Sequence, residues 1–257
     1  MSTATTARPT ARTQLRLAGQ TCVADGPHDL SGMYLAHHAF RRDLADFAAA
    51  ARCTPVDDAA TWTALARRWE RFSTVLHHHH TVEDTTLWPQ LLEHVDAAGD
   101  AAGRETLEAM EAEHQVIDPL LTACAEGFAA MASSPTATTA ERLAEQARAT
   151  RDTLAAHLRH EETEALPLLQ RHLSASGWQR VEDAASAGFS PRDLPFFVPW
   201  AAKGLDHDAR ERLLTDAGLP MRGLLWAFGG RFDRGEQAAF RHAADGGVSR
   251  DRRGTRR

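Results

Sequence analysis

Cysteine is scarce in this chain, positive charge is in deficit, and neither long apolar runs nor strand-like alternation is present. Cys22, Cys53 and Cys124 are the only three cysteines of 257 residues. Odd in number and without metal-ligand spacing, they exclude a disulfide framework and point to a reducing compartment. The longest apolar stretches fall short of the roughly 18 to 20 residues that cross a bilayer. The start, MSTATTARPTARTQLRLAGQ, has no apolar signal core. No membrane partner is therefore expected, and the expected location is cytoplasmic. That Arg- and Thr-rich, acid-free start has the composition of a transit peptide, but residues 1–27 are read as a disordered tail. With 29 Lys and Arg against 35 Asp and Glu, the formal charge of −6 argues against a nucleic-acid partner. The basic RDRRGTRR end reads as a solvated tail, with disorder expected over 243–257. No segment alternates apolar with polar residues under β-branched enrichment, so a sheet is not expected.

What the chain does have is helical periodicity and enough apolar residues, 43%, to build a core. Leu30, Met33, His37, Phe40, Leu44 and Phe47 recur at steps of three and four, forming one stripe. A second stripe runs through Trp62, Leu65, Trp69, Phe72, Leu76, His79, Glu83 and Leu87, and a third through Leu107, Met110, His114, Ile117, Leu121, Cys124 and Phe128. Leu143, Ala147, Thr150, Leu154, His157, Glu161 and Leu168 make the fourth. Turn-like breaks at Cys53 to Asp58, Ala97 to Gly103 and Ser133 to Thr139 separate them. Short connections make neighbours antiparallel, so residues 28–175 are predicted to be an all-α, up-down-up-down four-helix bundle. Past Gly177 the sequence turns rich in Pro and aromatics, with shorter helical segments at Gln179 to Ala187 and Asp206 to Asp216. Residues 176–242 read as a helical cap packed on the bundle.

The strongest signal is an internal repeat. HHTVEDTTLWPQLL from His79 aligns without gaps with HLRHEETEALPLLQ from His157: each has His, Glu four residues later, and Pro six beyond that. His37 precedes His79 by 42 residues and His114 precedes His157 by 43, so the chain reads as two helical hairpins of one design. Residues four apart share a helix face. Each pair, His79 with Glu83 and His157 with Glu161, therefore offers a nitrogen and a carboxylate to one point in the bundle. Burying these groups without partners would cost several kcal/mol each. Two metal ions shared among His37, His79, Glu83, His114, His157 and Glu161 would compensate them, and imidazole with carboxylate suits iron, zinc or copper. His80 also borders the core, and the sequence leaves open whether it is a further ligand.

MYLAHHAFRRDL with His37, HHTVED with His79 and Glu83, EAEH with His114, and HLRHEE with His157 and Glu161 together resemble the hemerythrin-like, or HHE cation-binding, family, most closely its bacterial type. The resemblance spans about Asp29 to Leu173. It implies a four-helix bundle holding two non-heme iron ions with an oxo or hydroxo bridge. It differs from the invertebrate oxygen carriers in the third helix, where Asp118, followed by Pro119, replaces a second histidine. Fewer nitrogen ligands and a more open iron follow, which disfavours reversible oxygen carriage. The expected activity is a redox enzyme acting on dioxygen, peroxide or nitric oxide. The alternatives are an oxygen or iron sensing module without turnover and a di-iron oxygenase with an organic substrate. The expected partner is a small diatomic or peroxide ligand, in a monomer or weak homo-oligomer.

Other residues near the motifs carry plainer readings. His38, His77, His78 and His160 are out of phase with the seams, fitting solvated or outer roles, and Glu162, Asp84 and Glu113 face outward or hydrogen-bond a ligand. Tyr34, one turn before His37, reads as a packed tyrosine with a satisfied hydroxyl, with an outer role at the metal as the alternative. Pro89 and Pro167 should kink or end the metal-bearing helices, Trp88 is packing, and Cys124 is a buried structural thiol.

Overall fold

Capped starts and a left-handed glycine stop set out the helices of the computed structural model, which describes residues 12–216 and 218–243. Helix α1 (Ser31–Cys53) is followed by α2 (Ala59–Val82), α3 (Trp88–Ala98), α4 (Ala101–Ser133), α5 (Ala137–His160) and α6 (Leu166–His172). Asp58, Asp100 and Thr136 accept backbone N–H bonds at the starts of α2, α4 and α5, satisfying donors that a helix leaves orphaned. Gly99, at φ 68°, ends α3, a conformation without penalty only for glycine. Among the described residues there is no strand.

The predicted stripes are the buried faces, apart from the half-buried Met33 and His79. Helices α1 and α5, α5 and α4, and α4 and α2 pack closely, whereas the neighbours α1 and α2 touch far less. Two apolar clusters fill the interior. One gathers Phe40, Phe47, Trp69, Phe72 and Phe128, the other Leu30, Leu87, Leu107, Met110 and Leu166. Between them, on all four long helices, falls a layer of histidine and glutamate. Helices α1 and α4 run from the second cluster to the first, and α2 and α5 run back. Helix α4 has the length and mean hydropathy, 1.2 over its most apolar window, of a membrane span. This departs from the expectation that no segment reaches that threshold. Its buried stripe, Leu107 to Phe128, is nonetheless one wall of the bundle.

Pro89 and Pro167 do not end their helices. A proline lacks the N–H for the i−4 carbonyl and its ring crowds that carbonyl. Each helix responds with one π-helical turn just upstream, Glu83–Leu87 and Glu161–Ala165. There Trp88 N–H reaches back to Glu83 O and Leu166 N–H to Glu161 O, five residues away, after which α3 and α6 resume. Both π turns begin at a predicted carboxylate ligand.

The chain preceding the bundle also differs from expectation. Residues 12–27 pack on it: Gln14 donates to His28 O and accepts from Leu30 N–H, Leu15 and Ala24 are buried, and Gln170 donates to Ala24 O. Polar backbone partners, which have no periodicity, make that segment adhere. Residues 1–11 and 244–257 lie outside the described residues.

Beyond α6 come α7 (Ala175–Ala187), α8 (Leu194–Ala202), α9 (His207–Asp216) and α10 (Gly218–Ala239). The periodicity reading missed α10 because Gly223, Gly229, Gly230 and Gly235 lower its helix propensity. Its attachment is local: Phe232, Glu236 and Ala239, on one face, are buried against the bundle. A buried charge network fixes it there. Arg68 of α2 donates to Asp43 of α1 and to Glu236 of α10, Lys203 also donates to Glu236, and Trp200 Nε1 donates to Asp43. Breaking such a network by removing one member leaves buried charges unpaired and costs about 3 to 5 kcal/mol. Arg68→Ala is therefore expected to lower the denaturation midpoint markedly and to expose α8 and α10 to limited proteolysis. An unchanged midpoint would show that the extension is held by its apolar contacts alone.

Candidate metal centre

Seven side chains converge in the polar layer, in two groups. His80, His114 and His157 form one, and His37, His79, Glu83 and Glu161 the other, with the ligand atoms of each group within 4.8 Å of one another. Each hairpin supplies one group's imidazole pair, and the glutamates cross between groups. Glu83 Oε1 lies 3.1 Å from His79 Nε2 and Glu83 Oε2 3.5 Å from His114 Nε2. Glu161 Oε2 lies 3.1 Å from His37 Nε2 and 4.0 Å from His157 Nε2. The approximate two-fold relation read from the repeat thus appears in the distances.

His80 breaks that symmetry. Its counterpart in the repeat is Leu158, also buried. The His80 ring stacks on His114, centroids 4.0 Å apart, and both of its nitrogens are buried without a hydrogen-bond partner. Of the seven, only the His79 side chain is appreciably exposed, at 14%, against 2% for Glu83.

Carboxylates behind the rings fix their orientation. Glu162 accepts from His37 Nδ1 at 3.0 Å, Asp84 from His114 Nδ1 at 2.8 Å, and Glu113 from His157 Nδ1 at 2.7 Å. Holding the proton on Nδ1 aims each Nε2 into the centre, with a lone pair wherever the ring is neutral. With both Nδ1 protons turned outward, His114 Nε2 and His157 Nε2 face each other at 3.1 Å. Two lone pairs at that distance repel unless a cation lies between or beside them.

Electrostatics point the same way. Burial drives His79 down to about 3 and His80 well below its ordinary value, so both rings are neutral and free to donate electron pairs. Burial and the neighbouring Glu161 carboxylate raise Glu83 far above the usual carboxylate range. Burial opposes protonation of His37, but Glu161 and Glu162 outweigh it and lift that ring to about 9. Oxygens of Glu83 and Glu161, with Nε2 of His37 and His79, have no hydrogen-bond partner. Buried atoms left in this condition cost several kcal/mol each, and cations shared by the two groups would satisfy all of them.

A model of the hemerythrin HHE cation-binding domain matches residues 28–169. The chain belongs to this family. No curated protein and no solved structure matches it. The HHE match stops inside α6, so α7 to α10 lie outside it.

Set against the HHE motifs, the structure brings together all six sequence-predicted residues and adds His80. Asp118 is exposed on α4, away from the layer. The Tyr34 hydroxyl accepts from Ala24 N–H at 2.8 Å, and burial pushes its pKa up to about 12. Cys124 is buried beside Thr150 and raised to about 11 by burial. His160 shares Glu113 with His157, and His38 contacts Ala18 O. His78 is not incidental: its Nε2 meets Ala185 O of α7 at 3.0 Å, and its ring abuts Gly188, where a Cβ would collide with it. The residue that periodicity undervalued most is Glu162, which is fully buried and also accepts from Arg41 and from Thr21 N–H.

Within the histidine run, placement separates ligand from neighbour. His77 is exposed, whereas His80 is buried among the rings. His77→Gln is expected to leave metal content unchanged, and His80→Ala to lose about one ion per chain. Metal analysis of the two purified variants tests this; equal losses from both would contradict the assignment.

Proposed function

We propose that this HHE domain is a non-heme di-iron centre that binds and turns over a small oxidant: dioxygen, peroxide or nitric oxide. The observation that carries the reading is the pair of buried carboxylates, each within 4.0 Å of a histidine of both groups, in a layer rich in imidazole. That ligand set suits iron. Two iron ions bound there would supply one-electron redox chemistry and open coordination positions.

The chain's own residues do the rest. Asp84, Glu113 and Glu162 hold three rings in register from behind, and the apolar clusters above and below keep bulk water out. The ligand count is uneven, with three imidazoles in one group and two in the other. If both glutamates were shared between the groups, the His37 and His79 side would have fewer protein ligands, and it is also the side that solvent reaches past His79.

Stopped-flow measurement on the iron-loaded protein tests the activity. Many cycles of peroxide or nitric oxide consumption per chain are expected. Reversible oxygen binding with no consumption of either oxidant would replace the enzyme by a binding or sensing module.

A further inference from the structure

Helices α1 and α2 part at the level of the metal layer, and the extension roofs the gap. The result is a cavity of about 270 Å³. Its inner wall holds Met33, Ala36 and Phe40 of α1 with Val75 and Val82 of α2; its outer wall is Trp178, Val181 and Ala185 of α7 with Phe189 and Phe197. His79 and Glu83 line it on the metal side, and Asp29 and Glu182 are its other acidic members.

A diatomic oxidant would leave most of this space unused. An apolar cavity of about 150 Å³ accommodates benzene, so one nearly twice as large suits two fused rings. The lining excludes a strongly polar body. The acids also select by charge: Asp29, Glu83 and Glu182 line the cavity and no arginine or lysine does, Arg12, 4.0 Å from Asp29, and Arg212 lying outside the lining. The cavity's outer wall lies wholly outside the matched family region, which gives α7 and α8 a task that the metal-binding residues do not require.

We infer that this cavity is a binding site for a neutral or cationic two-ring apolar molecule, seated between the bundle and the extension with its inner end against His79. Such a ligand is a substrate only if the proposed redox centre is present, whereas its binding needs only the cavity.

Calorimetric titration with 2-naphthalenemethanol, 2-naphthylmethylamine and 2-naphthoate, three probes of one shape and different charge, tests it on the full chain with and without iron. The alcohol and the amine are expected to bind once per chain, and the naphthoate at least tenfold more weakly. Ala36→Phe and Ala185→Trp, which fill the cavity from opposite walls, should each weaken the alcohol tenfold or more, while Ala187→Trp, outside the lining, should not. The double change Asp29→Asn with Glu182→Gln should abolish the preference for the amine over the naphthoate. Absence of saturable binding, equal binding of all three probes to the unaltered protein, or tight binding to both filled variants would overturn the site. Binding that persists in protein found to hold no iron would leave the site standing and count against the di-iron reading alone.

Discussion

Glu161→Ala is expected to reduce the iron content from two ions per chain to one or none, and Glu83→Ala to do the same. Each glutamate lies near a histidine of both groups: Glu83 near His79 and His114, Glu161 near His37 and His157. Removing either would therefore take an oxygen ligand from both of the proposed ions at once. It also leaves the Nε2 atoms of the neighbouring imidazoles buried without that carboxylate beside them. The protonation behaviour of the two differs, Glu83 being raised by burial and Glu161 lowered, after the opposing cost of burial, by His37. That difference reflects the protein's own charges and would be levelled by divalent or trivalent cations, whose charge dominates any site that holds them. Metal analysis alongside circular dichroism of both variants is the check. If one variant kept two ions while the other lost them, the two carboxylates would not be equivalent bridges.

The second large effect is expected at Glu162, which touches no ion. It is fully buried and accepts hydrogen bonds from His37 Nδ1, Arg41 and Thr21 N–H. Glu162→Ala strands a guanidinium, a ring nitrogen and a backbone donor together. Breaking a buried charged pair in this way costs about 3 to 5 kcal/mol, and loss of a carboxylate behind a metal-bound histidine typically lowers metal affinity roughly 10- to 100-fold. A chelator-competition titration should show that weakening, and Glu162→Gln should recover part of the stability, because an amide oxygen still accepts. A Glu162→Ala protein with wild-type affinity would mean that His37 is oriented by packing alone.

The legibility of these two glutamates in the sequence differs for a physical reason. Glu161 falls on the seam through Leu154 and His157, and an ordinary helix places it inward. Glu162, one position on, should turn about 100° away on the same helix. Glu162 is buried all the same because Arg41 and Thr21, of the segment before the bundle, close over it, whereas Asp84 in the matching π turn stays 31% exposed. The proline is visible in the sequence; it ends neither helix, and each carries a π turn just upstream of it. His80 was ambiguous because phase alone places it at the border; its burial depends on the neighbouring His114 ring, which no single-helix pattern contains. The bundle helices were readable because their stripes combine steps of three and four with capped breaks. Residues 12–27 and α10 were not, since the first adheres through backbone partners and the second is a glycine-rich helix fastened by a few buried side chains and a charge network with α2 and Lys203.

Two iron ions are proposed to share one polar layer between the two hairpins. Anomalous diffraction at the iron edge from crystals of the iron-loaded protein tests it most directly. Two iron peaks are expected, one among His80, His114 and His157 and the other beside His37 and His79, with Glu83 and Glu161 between them. A single peak, a signal at the zinc edge alone, or iron bound away from these seven residues would contradict it.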